Sequence, residues 1–234
     1  VAINVVILAA GMGTRLGRPH PKPLTPLADG RSILRQQLDH LREAFGTHAH
    51  ITLVVGFKMD LIMEAAAEDA AFVYNELYDQ TNTSKSLLKA LRLAPPGDVL
   101  WLNGDVVFVP GLLDELLPHV DAGRSFVAVN TASVADEEVK YTLDGDGYVK
   151  ELSKQVVGGL GEAVGINFVV AADRPTLVEH LDRCADTEYF ERGIETAIAE
   201  AGLRVAAVDI SAYGCVEVDF AADLDRANTL ELRR

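Results

Sequence analysis

Cysteine is nearly absent from this 234-residue chain. Cys184 and Cys215 make no disulfide framework, and neither sits in a C-x-x-C or Cys/His cluster. The six histidines show no ligand spacing either, and His20 reads as a loop residue. No apolar run approaches the roughly 18 residues of a membrane span. The chain starts on a strand-like run without a basic-then-apolar leader, so a soluble, cytoplasmic protein is expected. Basic residues are in deficit, 21 against 35 acids, and the net charge of −14 argues against a nucleic-acid partner. Linkers, low-complexity tracts and internal repeats are also lacking. With 49% apolar residues to build a core, one domain over residues 1–234 is expected.

The few cations are unevenly placed. Residues 1–35 hold five of them (Arg15, Arg18, Lys22, Arg31, Arg35) and a single acid, Asp29. The rest carries 16 basic and 34 acidic residues. A small cationic island in an acidic protein suits a compact polyanion such as a nucleoside triphosphate, although chance clustering on a solvated surface is the competing reading.

Apolar periodicity predicts strands at 3–9, 51–56, 71–74, 99–105, 125–131, 163–170, 203–209 and 214–218. It predicts helices at 32–45 (capped by Ser32), 84–92, 111–120, 173–184, 188–201 and about 221–232. Residues 139–152 read as a hairpin turning at Asp144-Gly145-Asp146-Gly147. Strand–helix alternation over the first 110 residues implies a mainly parallel, doubly wound sheet, with mixed pieces later. The first half is expected to bind nucleotide, and residues 111–234 the acceptor.

The run VVILAAGMGTRLGRPHPKPL, residues 5–24, is the most informative. A buried strand delivers Gly11 and Gly13 to its carboxyl end, where ligands of such sheets gather. Glycines there let backbone N–H groups approach an anion and can take positive φ. A plain tight turn is the bland alternative. A dinucleotide site fits poorly: the glycine spacing differs from G-x-G-x-x-G, and the second strand ends in Gly56-Phe57-Lys58 without a ribose-binding acid. A P-loop fails as well, for want of Gly-Lys-Ser/Thr. Lys22 lies between Pro21 and Pro23, which stiffen the segment and aim its ammonium. Arg15 offers a planar fork for phosphate oxygens.

L-A-A-G-M-G-T-R-L-G followed by P-K-P-L resembles the signature of the sugar-phosphate and alcohol-phosphate nucleotidyltransferases. The resemblance covers most of the chain, more weakly after residue 110. It implies a Rossmann-like, GT-A-like α/β fold with a mixed, mainly parallel central sheet. It also implies Mg²⁺-dependent nucleotidyl transfer with loss of pyrophosphate. Leu8, Ala9, Ala10, Gly11, Gly13, Thr14, Arg15 and Lys22 would then line the nucleotide, with Arg15, Lys22 and Asp105 catalytic. Asp105, after the buried run VLWL, resembles the family's metal-binding aspartate; a turn former is the alternative. Of the two acids in Val216-Glu217-Val218-Asp219, Asp219 is chosen to complete the metal site, against a role as cap of the following helix.

The polar stretch Asn75–Leu87 resembles the cytidylyltransferases that act on phosphocholine, inositol phosphate or phosphonates. That resemblance implies CTP as donor, with Asn82 and Ser86 on the nucleotide; capping by Thr83 or Ser84 is the bland reading. Gly161-Glu162-Ala163-Val164-Gly165-Ile166 resembles their acceptor side. Lys154 is expected on the acceptor's phosphorus group, Glu162 on an amine or hydroxyl, and Glu191 facing the pocket, while Tyr189 and Phe190 are expected in the core. Aromatics are only 6%, and Lys85 stands where phosphocholine enzymes tend to be aromatic, which favours a smaller acceptor such as a hydroxy- or aminoalkyl phosphonate. A sugar-1-phosphate or molybdenum-cofactor-type nucleotidyltransferase, a non-catalytic nucleotide sensor and, distantly, a dehydrogenase are the alternatives. A homodimer is left open.

Overall fold

The computed structural model describes residues 3–132, 134 and 137–231, apart from the side chains of Thr14 and Glu231. Strand β1 (Ile3–Ala9) is buried throughout, as a central parallel strand must be. Its side chains alternate between two cores: Ile3, Val5 and Ile7 enter one, Val6 and Leu8 the other. It pairs in parallel with β2 (Ala49–Val55) on one side and β4 (Val99–Asn103) on the other. Beyond β2 lies the parallel edge strand β3 (Ala71–Tyr74). Beyond β4 lies β9 (Glu162–Val169), antiparallel to it and to β6 (Phe126–Asn130), and β10 (Ala206–Asp209) closes the far edge in parallel with β6. The order β10-β6-β9-β4-β1-β2-β3 is thus mixed and mostly parallel, as expected. The hairpin β7 (Lys140–Leu143) and β8 (Val149–Ser153) branches from β9.

Helices cover both faces. Leucines of α1 (Ile33–Phe45), isoleucine and alanine of α2 (Met59–Ala66) and leucines of α4 (Gly111–Asp121) pack into one core. Helices α3 (Thr83–Leu93), α5 (Arg174–Arg183) and α6 (Phe190–Ala201) fill the other, with Tyr141, Val149 and Leu152 of the hairpin. Ser32 caps α1 as its sequence predicts, accepting from the Arg35 amide at 3.1 Å. Among the described residues no helix is long and apolar enough to cross a membrane.

Two local expectations need correction, and one helix is added to them. The strand at 99–105 ends at Asn103, and Val106–Phe108 forms a separate β5. It pairs antiparallel with β11 (Cys215–Glu217), making a two-stranded ribbon over which α7 (Ala221–Glu231) packs through Leu224 and Ala227. Helix α2 carries no signal in the periodicity reading; it starts from Lys58 in the left-handed region, φ 47°. Neither Thr83 nor Ser84 caps α3. Asn82 does, accepting from the Thr83 amide at 2.8 Å. Thr83 Oγ1 instead accepts from the Phe190 amide, and Ser84 Oγ donates to the Glu188 carbonyl.

Candidate active site

The sheet reverses its winding between β1 and β4, the place where open α/β sheets bind ligands. A cleft of about 330 Å³ opens there, at the carboxyl ends of both strands. The glycine loop after β1 forms one wall. Gly13 is left-handed, φ 58°, and a Cβ on it would stand 2.7 Å from Lys22 Cγ. Gly11 is not left-handed; it is exposed, with open space where a Cβ would be. The loop therefore needs one glycine for its turn and for the lysine stem, and leaves the other free for a close approach of ligand.

On the opposite wall, Gly104 follows β4 so tightly that a Cβ would meet the Leu8 carbonyl at 2.7 Å. Its amide donates to that carbonyl at 2.9 Å. This turn sets Asp105 beside the glycine loop. The Val218 amide donates to the Asp105 carbonyl, which brings the chain after β11 alongside and delivers Asp219. The result is a compact ionic knot. Lys22 Nζ donates to Asp105 Oδ2 at 2.9 Å and also to Asp219 Oδ1. Arg15 Nη1 meets Asp219 Oδ2 at 2.7 Å. Burial alone would lower the Lys22 pKa, but the two carboxylates outweigh it and hold the ammonium above its ordinary value. Asp219 is not the cap of α7: both its oxygens serve cations, and Asp223 accepts from the amides of Asp219 and Phe220.

Acids crowd the rest of the cleft. Glu217 is half-buried, and its Oε1 accepts from Asn103 Nδ2 at 3.4 Å. Burial, then Asp105, Glu138 and Asp219, push its pKa well above the carboxylate range. Glu138 is raised by burial and by Glu162, against the pull of Lys154. Glu191 is only 8% exposed, and its Oε2 has no hydrogen-bond partner among the described residues. Burial raises it to about 7. Lys154 Nζ lies 4.9 Å from the centre of the Tyr189 ring, which also lines the cleft.

Of the residues singled out from sequence, Leu8, Ala9, Gly11, Gly13, Arg15, Lys22, Asn82, Asp105, Lys154, Glu191 and Asp219 line this one cleft. Ala10, Ser86 and Glu162 are not among its lining residues. Ala10 is buried, and its carbonyl accepts from the Phe57 amide. Ser86 Oγ is buried and accepts from Asn75 Nδ2 at 3.0 Å, which ties α3 to the loop after β3. Glu162 opens β9, paired with Asn130 and Lys140. The Thr14 side chain lies outside the described residues. Lys85 is also away from the cleft, donating to the carbonyls of Asp182 and Cys184 at the end of α5. Tyr189 is a correction: it is half-exposed on the cleft, whereas Phe190 is buried as expected. Glu138 and Asn103 join the cleft without a signal in the sequence, whereas Gly165 lies in the element that resembles the acceptor side. Gly165 is left-handed, φ 71°, near the register shift between β6 and β9, and its missing Cβ leaves room for the Asn103 amide.

Among the described residues no three His, Cys, Asp or Glu side chains form a ready metal cage. Two carboxylates nevertheless converge on one cation, the Lys22 ammonium. Mg²⁺ is commonly held by one or two carboxylates with water and substrate phosphates, and the Asp105–Asp219 pair fits that mode.

Residues 5–199 match the family model of the MobA-like NTP transferase domain. The chain is 30% identical to the CMP-5′-(3-aminopropyl)phosphonate synthase of Streptomyces rubellomurinus, over 97% of this chain and 38% of that protein. It thus spans about two-fifths of that relative's length. Among solved structures it resembles the CTP:phosphocholine cytidylyltransferase of Streptococcus pneumoniae, with a TM-score of 0.76 and 21% identity, over 99% of this chain and 100% of that one. It also resembles the inositol-1-phosphate CTP transferase of T. maritima, with a TM-score of 0.77 and 14% identity, over 99% and 97% of the two chains. At these identities the two structures speak for the GT-A-like fold.

Proposed function

This chain belongs to the MobA-like NTP transferase family, and from that premise we propose that it transfers CMP from CTP to a small phosphonate or phosphate acceptor, releasing pyrophosphate. The observation that carries the reading is the meeting of Arg15, Lys22, Asp105 and Asp219 in one cleft beside the glycine loop. A nucleotide sensor has no need of all four.

Residues 1–110 hold the nucleotide and residues 111–234 supply the acceptor wall together with Asp219. The triphosphate lies against the backbone of Gly11 and Gly13, with Lys22 and Arg15 on its phosphates. Asn82, at the start of α3, reaches the base or ribose. Asp105 and Asp219 would hold Mg²⁺, which when bound neutralises charge on the phosphate oxygens. An acceptor oxygen attacks the α-phosphorus in line; the new O–P bond forms as the bond to the β-phosphate breaks, and pyrophosphate leaves with the electron pair. The acceptor oxygen is already anionic, so no general base is required, and positioning and electrostatics suffice.

Lys154 is the acceptor's phosphorus-group contact in this reading. Five carboxyl groups line the cleft against three cations, and Oε2 of the buried Glu191 has no hydrogen-bond partner among the described residues. This carboxyl-rich lining supports an acceptor with a cationic end, an aminoalkyl phosphonate, whose ammonium would draw the raised carboxyl groups into their charged form; the similarity to a CMP-5′-(3-aminopropyl)phosphonate synthase also supports it.

The test is to incubate the protein with Mg²⁺, each of the four NTPs and a panel of aminoalkyl phosphonates, hydroxyalkyl phosphonates, phosphocholine, inositol phosphate and hexose 1-phosphates, following pyrophosphate. Release with CTP and an aminoalkyl phosphonate is expected. Release only with UTP and hexose 1-phosphates overturns the cytidylyl assignment. No release with any pair overturns transfer itself.

A further inference from the structure

The ionic knot has one partner too many. Asp105 and Asp219 would hold the divalent cation, yet an oxygen of each is occupied by the same Lys22 ammonium, and Arg15 covers the second oxygen of Asp219. Lys22 is 8% exposed, so solvent does little to weaken this contact. We propose that Lys22, assisted by Arg15, is a built-in occupant of the divalent-cation position, and that the triphosphate draws these cations away so that metal and nucleotide enter together. The proposal rests on the triphosphate reading above.

The geometry divides Lys22 into a fixed stem and a free head. Its Cγ lies where a Cβ on Gly13 would intrude at 2.7 Å, and prolines flank it on both sides. The stem therefore stays against the glycine loop, and only the ammonium has somewhere to go. It has two anionic stations, the carboxylate pair below and phosphates cradled by the loop above. Arg15 is half-exposed and bears on the same loop, so it moves with less hindrance. Without an anion on the loop, bringing Mg²⁺ to Asp105 and Asp219 sets a dication against the ammonium and guanidinium already there. With a triphosphate on the loop, both cations gain phosphate partners and the carboxylates are released. The arrangement keeps two neighbouring carboxylates neutralised at rest and denies the site to a free divalent ion.

The test reads metal binding rather than turnover. Mn²⁺ is titrated into the protein without nucleotide, and free Mn²⁺ is followed by electron paramagnetic resonance. Lys22→Met, which keeps the length of the apolar stem without the ammonium, is expected to bind Mn²⁺ at least about tenfold more tightly than the wild type, since a cation in contact with the site has gone. Adding Asp105→Asn to that variant is expected to abolish the gain. Circular dichroism establishes that the variants are folded. Should Lys22→Met fail to fold, Arg15→Met carries the same test, with a gain of about threefold that Asp219→Asn removes, as befits a more exposed charge. Mn²⁺ binding to a folded Lys22→Met, or in its stead Arg15→Met, that is no tighter than to the wild type overturns the proposal. That result leaves the transferase reading standing, because pyrophosphate release is measured separately.

Discussion

Single side chains in the cleft divide into those that carry the reaction and those that carry a folding cost. In the proposed reaction Asp105 is of the first kind. Asp105→Asn keeps the shape and an acceptor for Lys22, and Lys22 retains Asp219. We expect kcat/KM to fall at least about 100-fold, or ~2.7 kcal/mol of transition-state stabilisation. Stability should fall by only about 1 kcal/mol, roughly 2–4 °C in melting temperature. A variant within about tenfold of wild type has lost at most ~1.4 kcal/mol, too little for a metal ligand. Glu191 is of the second kind. Its pKa rises from 4.5 in the unfolded chain to about 7 in the fold, chiefly because it is buried. The folded state therefore binds the proton more tightly. Below about pH 4.5 the group is neutral in both states and costs nothing; between there and pH 7 stability declines, and above pH 7 the full cost, at most about 3.4 kcal/mol, remains. Thermal melts of wild type and Glu191→Gln should therefore diverge between pH 5 and pH 8, the variant gaining relative stability as pH rises. Parallel curves would mean that the Glu191 carboxylate is not held back by its surroundings.

Whole elements, rather than single groups, set the cleft's dimensions. The turn joining β4 to β5 passes so close to β1 that Gly104 has no room for a side chain. A Cβ there meets backbone, the Leu8 carbonyl, and also Pro23 Cγ at 3.0 Å. Gly104→Ala should destabilise by about 1–3 kcal/mol, the usual cost of overpacking, and should displace Asp105. Urea melts and pyrophosphate release should fall together in this variant, unlike Asp105→Asn. Asn82 plays a different part. It caps α3, and its Nδ2 donates to the Thr187 carbonyl at 3.2 Å while its amide donates to the Asp186 carbonyl. It ties α3 to the loop that leads into Tyr189 and Glu191. These elements also mark what was legible in the sequence. The glycine loop, Lys22 between prolines and Asp105 after VLWL were readable because each follows a strongly apolar strand, and the strand fixes where the next residues go. Glu217 was half readable. Alternation sets it opposite Val216 and Val218, but only the pairing of β11 with β5 decides which face meets the cleft. Glu138 and Tyr189 had no signal, since they come from a loop and a helix start brought in by tertiary packing. Tyr189 looks like a core residue by composition, and its neighbour Phe190 takes the buried place instead.

At the scale of the molecule, β9 is the strand that joins the two walls of the cleft. It comes from the second half of the chain, yet it lies between β4 of the first half and β6 of the second, antiparallel to both. Leu100 and Leu102 of β4, Phe126 and Ala128 of β6 and Ile166 and Phe168 of β9 pack in one core. Asp219 likewise comes from near the end of the chain and is held by cations from its beginning. Neither half can bury its apolar surface or complete the cleft alone. The two walls should therefore unfold together, although residues 111–234 contain strands and helices enough for a small domain. Differential scanning calorimetry is expected to give one transition whose calorimetric and van't Hoff enthalpies agree. If the chain binds CTP as proposed, a non-hydrolysable CTP analogue with Mg²⁺ at about 100 times its dissociation constant would stabilise the folded state by ~2.7 kcal/mol. For a chain of this size that should shift the single transition upward by roughly 5–10 °C without splitting it. Two transitions, with only the first-half component responding to the nucleotide, would show that β9 fails to couple the walls and that residues 111–234 are an independent unit.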